Sequence, residues 1–255
     1  MNTRNKRHIG ILSFFIMTLL WLPLTGIAHD KGIDADRPDF TESAALVPLP
    51  YWQLEFGYTY EKTGTATHHT IGELLVRKPL NERVEFRLTV PSYRIFKIPV
   101  FDETGFEDLE LGVKLRLKPD RWGLILSTTI PTGSDQFRSR KLQPSAKLAF
   151  AQDLGPKMAF GANIGYTRLF IAATHIDEFS ASVSLQLELT RRLGAYIEYY
   201  GFYYDMEEFS ADHYINGGLV FQLTPNLLAD ARIGSILEKG VEHYFIGVGG
   251  VLRIR

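Results

Sequence analysis

From residue 52 to the end of this 255-residue chain, apolar and polar side chains alternate with a period of two. Successive side chains of a strand point to opposite faces, so each alternating stretch predicts a strand with one apolar and one polar face. Most stretches are about ten residues long, which is the length that a tilted strand needs to cross a bilayer. The clearest apolar lanes are Trp52-Leu54-Phe56-Tyr58-Tyr60, Leu109-Leu111-Val113-Leu115-Leu117 and Ala181-Val183-Leu185-Leu187-Leu189.

The connections between these stretches alternate between short and long. The short ones contain turn-forming Pro, Asn, Asp and Gly residues. Short periplasmic turns and longer extracellular loops are typical of outer-membrane barrels. We count about twelve stretches and therefore predict an all-β fold, an up-and-down antiparallel transmembrane β-barrel of about 12 strands over residues 51–255. The predicted long connections lie near 92–106, 132–142, 168–177, 204–212 and 236–242.

The N-terminus predicts export. Three basic residues within the first seven precede the apolar run 9–22, and Gly26 and Ala28 have the spacing that a signal peptidase accepts. We therefore predict a cleaved signal peptide over residues 1–28 and a mature chain that begins at His29. An uncleaved anchor is the alternative, but the run is short of the roughly 20 residues of a spanning helix. No later stretch could form such a helix, and only a closed barrel otherwise spans a membrane. The predicted location is the outer membrane of a Gram-negative bacterium.

A soluble barrel with its apolar face inside is the main alternative fold. Three features argue against it: the polar lanes are rich in Gly, Ser and Thr, the apolar lanes are long and continuous, and aromatic residues lie near the strand ends. Such rings are typical of the interfacial girdles of membrane barrels. They are Trp52, Tyr58, Tyr60, Trp122, Tyr166, Tyr199, Tyr203 and Tyr244. We therefore expect outer-membrane lipid around the barrel.

With the polar lanes turned inward, the lumen holds a nearly balanced set of charged side chains. They are Glu55, Arg77, Glu85, Arg87, Glu110, Lys114, Arg116, Lys147, Glu188, Glu198, Asp230 and Arg232. Turning a Lys or Arg to the bilayer midplane would cost about 2–4 kcal/mol, which specifies the orientation. The balance argues against a filter of one sign, which would use rings of like charge. We expect ion pairs that fill much of the lumen, and a dedicated solute site is the alternative.

Residues 29–50 form an N-terminal segment before the first strand, and residues 34–50 within it lack the alternation. Asp36, Arg37, Asp39 and Glu42 are too polar to face lipid, so this part cannot join the wall. A disordered tail is the alternative, since chain ends are often disordered. We predict instead that the segment folds back as a plug of the periplasmic mouth. Arg37 would meet a lumen carboxylate there, and Asp39 or Glu42 would meet a lumen Arg or Lys.

One motif resembles a known family. The stretch D-A-D-R-P-D-F-T-E-S-A-A-L-V-P-L-P at 34–50, followed by Q-L-E-F-G-Y-T-Y at 53–60, is similar to the opening of an outer-membrane barrel family labelled as phenol meta-pathway degradation proteins and often called transporters. Weaker similarities follow in order, V-E-F-R at 84–87, L-E-L-G-V-K at 109–114, I-P-T-G at 130–133, Y-I-E-Y-Y-G at 196–201 and D-A-R-I-G at 230–234. The resemblance implies a channel for small, aromatic or hydrophobic compounds. The chain departs from outer-membrane barrels at its end, Ile254-Arg255, where an aromatic residue is usual for the assembly machinery.

The remaining features favour no enzyme. The chain has no Cys and no G-x-S-x-G motif, and its lumen carboxylates have basic neighbours, which lower their proton affinity. His68 and His69 are adjacent and would face opposite ways in a strand, so we predict no metal site and no cofactor. A net charge of −1 gives no support for nucleic-acid binding. The expected partners are lipid, small-molecule solutes and the assembly machinery. A structural barrel with a plugged lumen, and then a lipid-modifying enzyme, are the alternatives to a channel.

Overall fold

The computed structural model describes residues 32–171, 173–205, 211–238 and 240–255. The predicted signal peptide and the predicted mature start at His29 lie outside these ranges. Within the described ranges, no helix has the length and apolar content needed to cross a membrane.

Fourteen antiparallel strands account for most of the described chain. They are β1 (Trp52–Thr63), β2 (Ala66–Pro79), β3 (Val84–Thr89), β4 (Tyr93–Ile98), β5 (Phe101–Phe106), β6 (Leu109–Lys118), β7 (Trp122–Ile130), β8 (Gln143–Asp153), β9 (Met158–Ile171), β10 (Thr174–Glu188), β11 (Leu193–Tyr204), β12 (Asp212–Thr224), β13 (Leu227–Ile236) and β14 (His243–Ile254).

These strands form twelve staves, because β3 and β4 lie end to end against β2 while β5 and β6 lie end to end in the next stave. Pro91 lies in the break between β3 and β4, where it cannot donate a backbone hydrogen bond. The wall stays bonded across the break, since Glu107 N donates to Ser92 O at 2.9 Å.

The sheet closes on itself. β1 pairs with β2 on one side and with β14 on the other, where Trp52 lies opposite Ile254. Every other pair of neighbouring staves is adjacent in sequence order, so the topology is up and down. The predicted all-β, twelve-stranded antiparallel barrel is therefore confirmed. Both ends of residues 51–255 lie at the end of the barrel with the short turns, which we call the short-turn end.

Two of the predictions of long loops are wrong, because strands occupy most of both stretches. Residues 92–106 form the β4–β5 hairpin, and residues 168–171 and 174–177 extend β9 and β10 as paired strands. Both strand pairs carry charges on their outward lanes, such as Lys97 and Arg168, so they lack the continuous apolar lane that identifies a strand in lipid. The wall therefore continues beyond the part that hydrophobic periodicity can detect.

The burial pattern is the reverse of that in a soluble protein. The largest fully buried side chains are Arg77, Lys114, Gln53, Glu55, Glu85 and Glu198, whereas large apolar side chains on the outer lanes are exposed, for example Ile164 at 61% and Ile233 at 60%. A soluble chain rarely buries such charges or leaves a continuous apolar belt. The outer surface therefore suits lipid, and the polar lanes face the lumen.

Candidate functional site

Residues 34–50, called the lumen segment here, run inside the barrel without joining the wall. Wall carboxylates accept hydrogen bonds from its backbone in place of a strand partner. Glu55 accepts from Asp36 N and Arg37 N, each at 3.0 Å, and Glu85 accepts from Val47 N at 2.7 Å. These bonds matter because a buried backbone N–H without a partner is costly.

Asp36 is the centre of the largest ion-pair cluster. Its carboxylate lies 3.0 Å from Lys114 Nζ and 3.4 Å from Arg77 Nη1, and it also contacts Arg87 Nη1. Burial disfavours the charged form of Asp36, but the attraction of Arg77, Lys114 and Arg87 outweighs burial and holds the pKa of its carboxyl well below the ordinary value. Ser43 N also donates to Asp36 at 2.8 Å, so the charge holds the segment in a bend.

Arg37 lies against the part of the wall that β2, β1, β14 and β13 form. Its guanidinium pairs with Glu73 at 2.8 Å and with Asp230 at 3.1 Å. Burial disfavours the charge of Arg37, yet the attraction of Asp230 and Glu73 raises its pKa. A Cβ at Gly57 or Gly249 would collide with the guanidinium, so these two glycines let Arg37 approach the wall.

Glu42 ties the other end of the bend to the wall. It accepts from Lys147 Nζ at 2.6 Å and from Arg87 Nη2 at 2.7 Å. Burial raises its proton affinity, but Lys147 and Arg87 outweigh burial and lower the pKa of Glu42 to about 2. Its backbone is held as well, since Glu42 N donates to Asn163 Oδ1 at 2.6 Å.

Glu198 of β11 binds the middle of the lumen segment. Its carboxylate accepts from Phe40 N at 2.8 Å, from Thr41 N and from Asn216 Nδ2. The Thr41 hydroxyl also lies 2.8 Å from Ser182 Oγ. Contacts to wall residues from β1, β11 and strands between them mean that the segment crosses the lumen.

Asp39 lacks such compensation. Its Oδ2 atom is buried without a hydrogen-bond partner among the described residues, as are Tyr196 OH and Asn216 Oδ1. Burial, and then repulsion from Glu198, raise the pKa of Asp39 well above its ordinary value of 3.8. The lumen segment therefore combines two carboxylates stabilised as anions with one that favours its neutral form.

The predicted lumen residues take part to different degrees. Nine of them contact the lumen segment through their side chains, namely Glu55, Arg77, Glu85, Arg87, Lys114, Lys147, Glu198, Asp230 and Arg232. Glu110 and Arg116 make no such contact among the hydrogen bonds and ion pairs of the described residues. Glu110 lines a cavity on the long-loop side of the segment, Arg116 lines a cavity at the short-turn mouth, and Glu188 lies near the short-turn end of β10.

A group of aromatic side chains inside the lumen was not predicted from the sequence. Phe40 stacks on Tyr200 with ring centroids 4.7 Å apart, Tyr200 stacks on Tyr214 at 4.8 Å, and Phe202 meets Phe40 edge to face at 5.2 Å. The available signal was the run Y-I-E-Y-Y-G-F-Y-Y at 196–204, which places aromatic residues on both lanes of β11. Girdle aromatics would occupy only the outer lane.

Known proteins share both the sequence pattern and the architecture. A family profile described as "Putative MetA-pathway of phenol degradation" matches residues 35–254. No match was found among curated proteins. An outer membrane channel from Pseudomonas putida F1 superimposes with a TM-score of 0.66 at 14% identity, over 83% of this chain and 98% of that chain. The NanC porin gives a TM-score of 0.56 at 10% identity, over 79% and 100%. The KdgM porin gives 0.50 at 11%, over 80% and 99%. At these identities the structures show a shared fold, and the profile match over most of the chain shows that this protein belongs to the phenol meta-pathway degradation family of β-barrels.

Proposed function

We propose that the protein is an outer-membrane channel through which small, aromatic or hydrophobic compounds diffuse, and that the lumen segment closes it. The observation that carries the proposal is a closed barrel with an apolar exterior whose polar lumen is crossed by a segment outside the wall. The signal peptide over residues 1–28, the Gram-negative outer membrane and insertion by the assembly machinery are part of the same proposal.

The lumen segment separates two spaces. A cavity of about 410 Å³ at the short-turn mouth is lined by Val47, Pro48 and Arg116, and one of about 190 Å³ lies on the long-loop side of Phe40 and Glu42. A solute that crosses the barrel therefore has to pass the segment, and we propose that the segment shifts when it does.

The dense ion pairs favour the second candidate, a structural barrel whose lumen stays closed. An enzyme is the third and has no observation of its own in its favour.

The test of the channel is the conductance of the refolded protein in a planar bilayer, with and without residues 34–45. The full chain should conduct weakly, and the deletion should raise conductance and lower the melting temperature, because it removes the bridge between wall charges. Uptake of aromatic compounds should also fall in cells that lack the gene.

A synthetic peptide of residues 34–45, added to the deleted protein, should lower the conductance again. Heat-modified gel migration checks that the deleted barrel is folded. Equal conductance and melting of the two proteins would show that the segment neither closes nor stabilises the barrel. No conductance from either protein would leave the structural barrel as the better account.

The conductance should also rise with pH. Asp39 takes up a proton when the segment docks, because docking raises its pKa above 3.8. Proton uptake by Asp39 therefore favours docking fully below its ordinary pKa. As the pH rises from there toward the raised pKa, the docking equilibrium constant falls by about tenfold per pH unit. Asp36 and Glu42 have lowered pKa values and act in the opposite direction, but their contribution is complete above about pH 5. Open-channel current should therefore increase as the pH rises above about 5, over the range below the raised pKa of Asp39.

The substitution Asp39→Asn mimics the neutral acid and should remove most of this pH dependence while the segment stays docked. Glu42→Gln is the matched comparison, since it should weaken docking at every pH in this range and keep the slope. A native protein without a slope, or an Asp39→Asn protein with the native slope, would refute the role of Asp39. The measurement is the open-channel current of single channels as a function of pH.

A further inference from the structure

The cavity on the long-loop side of the lumen segment is large enough for a small solute. Its volume is about 190 Å³, and its walls come from the inner faces of β6 to β11 and from the segment itself. An apolar cavity of about 150 Å³ in another protein accommodates benzene. Small side chains provide the space here, since Ser127, Ser145, Gly165 and Ser180 lie along one side.

Negative charge exceeds positive charge in this cavity. Glu42, Glu110 and Glu178 line it together with one ammonium group, that of Lys147. Lys147 is already compensated, because its Nζ lies 2.6 Å from Glu42. Glu110 and Glu178 form no ion pair with any residue in the part of the chain that the structure describes, and Glu110 also lacks a hydrogen bond there. Glu110 and Glu178 therefore face the cavity without an ion pair to the described residues, and Lys147, the one cation in the lining, attracts Glu178 only from a distance.

Aromatic rings form another part of the lining. Phe40 and Phe202 border the cavity and pack edge to face. The Nζ atom of Lys147 lies 4.7 Å from the centroid of the Phe40 ring, and Tyr200 stacks on the same ring, so Phe40 offers its edge to the cavity beside the ring of Phe202. The faces of aromatic rings attract cations electrostatically and also contact apolar groups. This lining complements a molecule with a positive charge on an apolar body.

We propose that this cavity binds small organic cations, protonated primary amines carried on an aromatic or branched apolar body. The ammonium group faces Glu110 and Glu178, and the apolar body packs against Phe40 and Phe202. The proposal rests on the channel function, because the ligand has to enter the lumen. It adds a class of solute to that function. It also predicts that charge, and not only size and hydrophobicity, decides which compounds bind on the long-loop side of the lumen segment.

Titration calorimetry of the full-length protein in detergent tests the proposal with three probes of similar shape. They are benzylammonium, benzyl alcohol and benzoate, which carry a positive, zero and negative charge. We expect benzylammonium to bind on the order of tenfold more tightly than benzyl alcohol, and benzoate not to bind, because a charge-assisted hydrogen bond is about twice as strong as a neutral one. The double variant Glu110→Gln/Glu178→Gln should bind benzylammonium no better than benzyl alcohol.

Glu82→Gln is the matched control, because Glu82 lies exposed in the turn after β2 at the short-turn end and should leave benzylammonium binding unchanged. Circular dichroism and thermal melting establish that the variants are folded. Equal binding of the three probes, no binding of any probe, or native affinity in the double variant would each overturn the proposal. If the conductance tests succeed and the probes bind equally, only the cation site is wrong. If benzylammonium binds selectively but the barrel never conducts, the channel function is wrong and the site stands.

Discussion

The substitution Asp36→Asn is expected to release the lumen segment and to shift its docking equilibrium about 100-fold or more toward the open state. Arg77 and Lys114 are fully buried and Arg87 is nearly so, and each makes an ion pair with this carboxylate. Removing one partner of a buried ion pair costs about 3–5 kcal/mol, because the remaining charge is left without compensation. When the segment is released, Glu55, Glu85 and water still compensate these cations. The substitution therefore destabilises the docked state much more than the released state.

Single-channel conductance and protease cleavage of the segment measure this release, and both should increase. Asp34→Asn is the matched control two residues earlier. Among the described residues, Asp34 is bonded through its backbone carbonyl alone, which accepts from Gln53 Nε2 at 2.9 Å and from Arg77 Nη1 at 3.5 Å, and these bonds survive the substitution. If Asp36→Asn folds into a barrel with native conductance and native protease resistance, the cluster around Asp36 does not hold the channel closed.

A disulfide between the lumen segment and the wall is expected to abolish solute uptake until it is reduced. Ala44 is fully buried beside Gly123, and a Cβ added at Gly123 would lie 3.4 Å from the Ala44 Cα atom. The two Cβ atoms of a disulfide are about 3.5–4.5 Å apart. The two backbones are close enough for such a bond after a small shift of the Ala44 carbonyl oxygen, which the added Cβ would approach to 3.0 Å. The native chain has no Cys, so Ala44→Cys/Gly123→Cys introduces a single pair. Uptake should stop in the oxidised protein because the segment can no longer shift, and a reductant should restore it.

The two single Cys variants are the controls and should take up solute at the native rate under both conditions. The measurement is the uptake of a small aromatic compound into proteoliposomes. Full uptake by the oxidised double variant would show that solutes pass beside a fixed segment. In that case the lumen segment narrows the channel permanently and is not a gate.

The wall of the barrel was predictable because its information is local. A period of two assigns each side chain to a face, and the cost of a charge in lipid decides which face turns inward. This reasoning applies to Glu55, Arg77 and Lys114 without knowledge of any partner. It also excludes Asp36 and Glu42 from the wall, since a stretch with this density of charge is too polar to face lipid.

The partners of these charges depend on the closed barrel. Arg37 meets Asp230, 193 positions away, because ring closure through β1 and β14 brings β13 next to the start of the wall. Strand stagger sets the height of each side chain, so it also determines that Arg87 bridges Asp36 and Glu42.

The inner aromatic group around Tyr200 and the uncompensated Asp39 likewise arise from packing among residues distant in sequence. The sequence by itself therefore determined the fold, the inward face and the exclusion of the N-terminal segment from the wall. The tertiary structure alone decided which charges neutralise one another and which are left over, because residue order specifies faces while closure and stagger specify neighbours.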